Sequence, residues 1–501
     1  MISLDRFRAA PRRCAFAVIA AASAAALLGA GCTAGPDYHR PALAVPAQFR
    51  EAGAQWRRAA PDPLKAVSSR WWDDYHDPVL SRLVDDALRA NPTIAAAQAS
   101  WRLARATVAA DRASLWPTLG LDASGSRGQS TPSSRFSGAA GPLLSEQLGG
   151  VRNTVSLSGS ASWEPDLWGA ARRQLESGKA GEAGAAATLA GQQLSIAASV
   201  ATSYLQLRQC DLDVDLLQGQ REIDARLLVI AGAAFDHGTA SNDDVLDARA
   251  SLDGARAALQ GARRAREQAE HALAVWTGVP PASFSIAPDP DYAFCEPAEP
   301  AALPSTLLER RPDVVGAERA VAAANARIGV AEAAFFPSLD LGAQGGFQHD
   351  SLANLLSMPN RVWAVGPALA ASLFDGGARR AAVREAEATY DQQVANYRQT
   401  VLSAFQGVED SLSSVNHLRE QTHALDAVYR IDLKLFDSAR AKASAGTAST
   451  QAVLAQQLAV LGARQNLVDM RSALAQGDVA LVRNLGGGWD GAAAAHASER
   501  R

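Results

Sequence analysis

Few residues of this 501-residue chain are spaced for catalysis. Its eight histidines are scattered, with neither a His-Glu-x-x-His run nor paired Cys-x-x-Cys steps to hold a metal. Gly178-Lys179 lacks the upstream glycine and the following Ser or Thr of a phosphate-binding loop. Gly345-Gly346 falls in a strand context and carries no cofactor signature. Most other carboxylates lie on long helical patterns, where charges are usually solvated. The chain therefore reads as a non-enzyme with no cofactor and no metal site. Two features stand apart. One is a thiol, Cys32, which ends an uninterrupted small and apolar run from Cys14 to Gly31. The other is a trio of carboxylates, Asp243, Asp244 and Asp247, just after Ser241. Ser241 as N-cap with Asp244 three residues on forms a capping-box-like pair, and acids suit a helix N-terminus.

The run before Cys32 says where the chain goes. Arg6, Arg8, Arg12 and Arg13 precede it, the layout of an export signal over residues 1–31 rather than a membrane anchor. Leu27-Leu28-Gly29-Ala30-Gly31-Cys32 resembles a lipoprotein cleavage box, so Cys32 is the expected lipidation site and its covalent lipid, including palmitate, the only non-protein group. Thr33 rather than Asp after it resembles the outer-membrane sorting pattern. No later stretch offers 18 consecutive apolar residues, so no transmembrane helix is expected. The net charge of −4, without a basic stripe, argues against nucleic acid. Cys210 and Cys295 remain, and an oxidising periplasm leaves a bridge or two separate thiols equally open.

The elements that must position these residues are written twice. Asn91-Pro92-Thr93 through Trp116-Pro117-Thr118-Leu119-Gly120-Leu121 runs in register with Arg311-Pro312-Asp313 through Phe336-Pro337-Ser338-Leu339-Asp340-Leu341, 220 residues on and without a gap. Gly238-Thr239-Ala240-Ser241 recurs as Gly446-Thr447-Ala448-Ser449. The expected division is a lipidated strap and first helix over 32–90, one repeat over 91–290, a linker over 291–310, a second repeat over 311–487, and a disordered tail over 488–501. Asp77-Pro78 starts a helix whose stripe is Leu80, Leu83, Val84, Ala87 and Leu88. Each repeat then reads helix, strand hairpin, long helix, turn, helix. Pro117 and Pro337 stop the first helices near Trp116 and Phe336. Leu119, Leu121 and Ala123 alternate with polar residues, as do Val155, Leu157 and Ala161, around a loop over 127–153. On the second hairpin Leu339, Leu341 and Ala343 go out, and Val365, Leu369, Ala371 and Leu373 return.

Lengths then decide the architecture. A helix over 168–234 is roughly 100 Å long, and helices over 92–116 and 243–276 add to nearly the same, so two short helices end to end can match one long one. The fold class is mainly α with a small β part and an internal two-fold repeat. Four strands per chain cannot close a membrane barrel, which starts at about eight. The economical solution is a barrel shared among two, three or four chains. Trp116, Trp168, Phe335, Phe336 and Phe374 all fall where helix meets strand, as expected of an aromatic girdle at the membrane interface.

Four stretches resemble the TolC-like outer-membrane factor family, in particular its lipoprotein branch serving resistance-nodulation-division pumps. They are Gly31-Cys32-Thr33-Ala34-Gly35-Pro36-Asp37-Tyr38, Trp71-Trp72-Asp73-Asp74-Tyr75, Trp163-Glu164-Pro165-Asp166-Leu167-Trp168-Gly169 and Leu307-Leu308-Glu309-Arg310-Arg311-Pro312-Asp313. The resemblance covers essentially the whole mature chain. It implies a homotrimer with a twelve-stranded barrel in the outer membrane and an α-helical barrel in the periplasm. It further implies docking of a periplasmic membrane-fusion adaptor and an inner-membrane pump on the tip turns Gly238-Thr239-Ala240-Ser241 and Gly446-Thr447-Ala448-Ser449. The expected function is passive exit of drugs and other small molecules from a Gram-negative cell. The alternatives are a type I protein secretion channel and a non-channel periplasmic coiled-coil lipoprotein. Some relatives carry acids in the second tip, where this chain has Ala448, Gln451, Ala452 and Ala455. Asp243, Asp244 and Asp247 of the first tip are thus either caps or a cation-holding gate.

Overall fold

The computed structural model describes residues 33–42, 49–51, 69–130, 150–295 and 311–489. The signal segment, Cys32, most of the 291–310 linker and the tail past Trp489 lie outside the described residues. In chain order the elements are α1 (Pro78–Ala90), α2 (Pro92–Ala113), β1 (Thr118–Ser130), β2 (Gly150–Trp163), α3 (Ala170–Asp236), α4 (Asn242–Trp276), α5 (Pro312–Ala333), β3 (Ser338–His349), β4 (Arg361–Ala370), α6 (Ala378–Ser444) and α7 (Thr450–Asn484). Helices α3 and α6 are 67 residues each, and α4 and α7 are 35 each, so the two repeats match element for element. None of the described helices is long and apolar enough to cross a membrane.

Contacts divide the chain into two units. The first comprises residues up to Arg40 with Leu103–Glu182 and Arg319–Val394. Its centre is one antiparallel sheet in the order β1-β2-β3-β4. Pairing is unbroken, from Thr118↔Ser162 to Ser130↔Gly150, from Trp163↔Leu341 to Val155↔His349, and from Ser338↔Ala370 to Phe347↔Arg361. The loop expected over 127–153 is therefore shorter. Backbone pairing carries Arg127, Gly128 and Gln129 onward where side-chain alternation had faded, because strand bonds do not depend on residue type. β4 ends at Ala370, so Ala371 and Leu373 lie past it. There the chain turns through Gly376 and Gly377, both at positive φ, into α6.

Helices α2 and α5 stop three residues short of Trp116 and Phe336. Their last turns tighten to i→i−3 bonds, Trp116 N to Ala113 O and Phe336 N to Ala333 O. A proline displaces the residue before it from helical geometry, and here the effect reaches back a full turn.

The second unit holds the main apolar core. Asp77 caps α1 by accepting from Val79 N and Leu80 N, and Pro78 occupies the first turn. The stripe Leu80, Leu83, Val84 and Ala87 is buried as the spacing predicts. With Trp71, Trp72 and Tyr75 it packs on Ile196, Val200, Tyr204 and Leu207 of α3, Leu273 of α4 and Val479 of α7. Val214, two turns beyond Leu207 on α3, is only half-buried.

End-to-end stacking of short helices is realised twice in this unit. Asn91 Nδ2 donates to Trp276 O at 2.8 Å, joining the end of α4 to the start of α2. Arg311 Nη1 donates to Asn484 O at 2.5 Å, joining α7 to α5. Trp276 Nε1 reaches Ser203 Oγ of α3, and Asn484 Nδ2 reaches Ser411 Oγ of α6 at the equivalent place. Gly278 and Gly486, at φ +73° and +95°, let the chain leave each helix, and a Cβ on Gly278 would lie 2.7 Å from Ala90 O.

One buried polar cluster belongs to the first repeat alone. Asp211 accepts from Arg208 Nη1 at 2.8 Å, Arg266 Nε at 2.6 Å and Asp289 N at 3.1 Å. Arg208 also donates to Tyr204, whose hydroxyl donates to Asp77 at 2.6 Å. The second repeat has Asn416, Arg419 and Leu474 where the first has Arg208, Asp211 and Arg266. Nearby, burial and the charge of Asp469 push the Asp213 carboxyl up to about 7. Cys210 and Cys295 are both free thiols, and burial raises the Cys210 thiol to about 11.

Candidate functional site

Apart from Cys32, which lies outside the described residues, the site residues singled out in the sequence fall in three places: the sheet, the helix–strand junctions of the first unit, and the tip turns of the second. In the sheet the register fixes two chemically different faces. Leu119, Ala161, Ala343 and Val365 share one row of one face, and Leu339 pairs Leu369 on the same side. Gly120, Ser160, Gln344 and Ala364 share a row of the other, which also carries the Ser124–Ser156 hydroxyl pair at 2.8 Å. Leu119, Leu121, Trp363, Val365 and Leu369 are 70–84% exposed, so the apolar face has no cover within the chain. β1 and β4 each pair on one side only among the described residues. An uncovered apolar face and two open edges require lipid on the one and further strands on the other.

At the junctions the aromatics do more than fill space. Trp168 stacks on Phe336 at 4.6 Å and 17°, and its Nε1 donates to Pro337 O at 2.7 Å. The Arg379 guanidinium lies 5.5 Å from the Phe335 ring centre. Trp116 and Phe374 are 69% and 92% exposed. Each long helix also starts alike: Asp166 holds Arg172, and Asp375 holds Arg379, through the carboxylate and a main-chain amide.

The sequence reading missed Arg173. Its side chain is buried, and it donates to Ala34 O at 3.1 Å, Gly35 O at 3.1 Å, Asp37 at 2.9 Å and Glu176 at 2.8 Å. Asn325 Nδ2 adds a bond to Pro36 O, and Ala34 N donates to Trp168 O. Gly35, at φ +86°, packs directly on the Gly329 backbone of α5. The four residues after Thr33 are thus bolted to the junction that holds Trp168 and Phe336. A cation in the first turn of a helix opposes the dipole, and that anomaly was the available signal.

The tips are near copies. Gly238 and Gly446 sit at φ +70° and +73° with open space around them. The Thr239 hydroxyl donates to Ala234 O and the Thr447 hydroxyl to Lys442 O, both at 2.9 Å. Ser241 Oγ accepts from Asp244 N and Ser449 Oγ from Ala452 N, both at 3.2 Å. Ala240 and Ala448 are half-buried and the other tip residues exposed. The copies differ at three carboxylates, Asp243, Asp244 and Asp247, where the second tip has Gln451, Ala452 and Ala455. Asp244 completes a capping box by accepting from Ser241 N at 2.8 Å and Ser241 Oγ at 2.7 Å, and those bonds hold its carboxyl below the usual range. Asp243 and Asp247 are exposed beside it.

Comparison with known proteins is consistent over more than nine-tenths of the chain. The family described as outer membrane efflux protein matches residues 83–279 and 303–487. A probable efflux pump outer membrane protein, TtgC of Pseudomonas putida, is 29% identical over 94% of this chain and 96% of its own length. Outer membrane protein OprJ of Pseudomonas aeruginosa is 31% identical over 92% of this chain and 94% of its own. Among solved structures, the outer-membrane channel OprN superposes with a TM-score of 0.81 at 29% identity, covering 91% of this chain and all of that one. The open state of the MtrE outer membrane channel of Neisseria gonorrhoeae gives 0.76 at 27% identity, covering 91% and 98%.

Proposed function

The chain belongs to the outer membrane efflux protein family, and from that premise we propose that it is the passive outer-membrane duct of a tripartite efflux assembly. The observation that carries this is the four-stranded sheet with two open edges and a bare apolar face. Three copies, each pairing its β4 with the next β1, make a closed barrel of twelve strands, within the range of outer-membrane barrels. Helices of 67 residues, about 100 Å at 1.5 Å per residue, supply reach into the periplasm. The driving force comes from an inner-membrane pump through a membrane-fusion adaptor. The exposed tips around Gly238 and Gly446 are the surface offered to that adaptor. Drugs and other small molecules are the cargo class, as the relatives named for efflux suggest.

Within this reading Cys32 carries the lipid. Support comes from the clamp on residues 34–37, which holds Ala34, two positions after Cys32 in the sequence, at the Trp168 junction where the apolar strand face ends. Labelled palmitate is expected in the mature protein and absent from Cys32→Ser. Undiminished labelling of that variant would remove the assignment.

Since Asp244 is occupied as a cap, Asp243 and Asp247 are the carboxylates left to face cations at a constricted tip. Single-channel recording in lipid bilayers tests both duct and gate. The unaltered protein should give discrete conductance steps blocked by divalent cations, and Asp243→Asn with Asp247→Asn should relieve the block. Unaltered block would assign these acids to helix capping alone, and the absence of any steps would defeat the channel itself.

A further inference from the structure

We propose that the inner wall of the strand barrel favours cations over anions, and that Asp340 and Asp122 set this preference. The inference rests on the channel reading above. The register is unbroken, so residues of one parity share one face throughout. Asp122 and Asp340 have the parity of Gly120, Ser160, Gln344 and Gly366, the polar face, which looks inward once three sheets close with their apolar faces to lipid.

The rows around them hold no compensating charge. Asp122 is in a row with Ser158, Gly346 and Val362. Asp340 pairs with Ala368 and, among the described residues, receives only the Ser162 hydroxyl, at 3.2 and 3.3 Å to its two oxygens. Neither has an ion-pair partner among the described residues. Of the basic residues on the strands, Arg127 and Arg361 have the parity of the apolar face. Arg152 shares the polar parity but pairs with Gly128, six residues along the strand from Asp122. Three copies would thus place two separate rings of three carboxylates on a wall otherwise made of serine, threonine, glycine, glutamine and small apolar residues, with Arg152 at the far end of the strands.

Geometry decides whether such rings are felt at the axis. Twelve strands about 4.8 Å apart and tilted about 40° close with a radius near 12 Å. The Debye length is about 10 Å at 0.1 M salt and about 3 Å at 1 M. The rings therefore act across the lumen in dilute salt and are screened in concentrated salt. Permeant cations, and organic cargo with a positive charge, meet a favourable wall, whereas anions are repelled.

The experiment is the reversal potential of the full-length protein in a planar bilayer under a potassium chloride gradient. The unaltered channel should prefer potassium in dilute salt and lose that preference near 1 M. Asp122→Asn with Asp340→Asn, nearly isosteric, should cut the potassium-to-chloride permeability ratio by about half or more at 0.1 M. Asp122→Lys should shift it further towards chloride. A ratio unchanged in all variants, with conductance steps intact, overturns the inference and leaves the channel standing. Absence of steps from the unaltered protein overturns both.

Discussion

Asp211→Ala is expected to lower stability by about 3–5 kcal/mol, the cost of leaving buried guanidinium groups without their carboxylate. The Asp211 side chain is fully buried, and Arg208 and Arg266 are 6% and 15% exposed. Both arginines also hold backbone carbonyls, Ala287 O and Ile286 O, so removing Asp211 unsettles the segment after α4 as well. The measurement is the urea midpoint of the detergent-solubilised protein, followed by circular dichroism. The comparison is Arg256→Ala, whose partner Asp253 lies on an exposed face and whose loss should leave the midpoint unchanged within error. Equal midpoints for the two variants would mean that the buried cluster is not what joins α3 to α4. The second repeat lacks the cluster, so its helices are expected to lose protection from amide exchange first.

Gly346→Val should abolish assembly, and its neighbour Gly345→Val should not. A Cβ on Gly346 would run into Leu157 O and lie 2.6 Å from Ser158 Cα, both main-chain atoms that no side-chain rotation can move. Prying β2 from β3 costs about 3 kcal/mol or more per protomer, at or beyond the upper end of overpacking. Gly345 has nothing within 4 Å and shares the parity of Leu121 and Trp363, so valine there adds only apolar surface on the lipid side. Outer-membrane fractions run unheated on a gel report the oligomer directly. Loss in both variants, or in neither, would contradict the assigned register.

Much of this was legible from single residues. Proline and capping side chains mark helix starts in any context, which is why Asp77-Pro78, Asn91-Pro92 and Ser241 gave boundaries that hold to the residue. The duplicated turns at Gly238 and Gly446 were legible because only glycine adopts that conformation without strain. Strand ends were not, because Arg127 to Ser130 pair through main-chain groups that no side-chain pattern reveals. Arg173 was not, because its partners are carbonyls 138 and 139 residues away. The division of labour between Asp244 and its neighbours needed the hydrogen-bond geometry, since spacing alone permitted both cap and gate.

The central claim is that one chain supplies a third of a barrel and that the barrel closes through β4 of one copy and β1 of the next. The mass of the complex in detergent, by native mass spectrometry or by light scattering corrected for bound detergent, tests it most directly. The account predicts three protomers and no stable monomer carrying native strand signal. A well-folded monomer with the full strand content, or a complex of any other number, would contradict it.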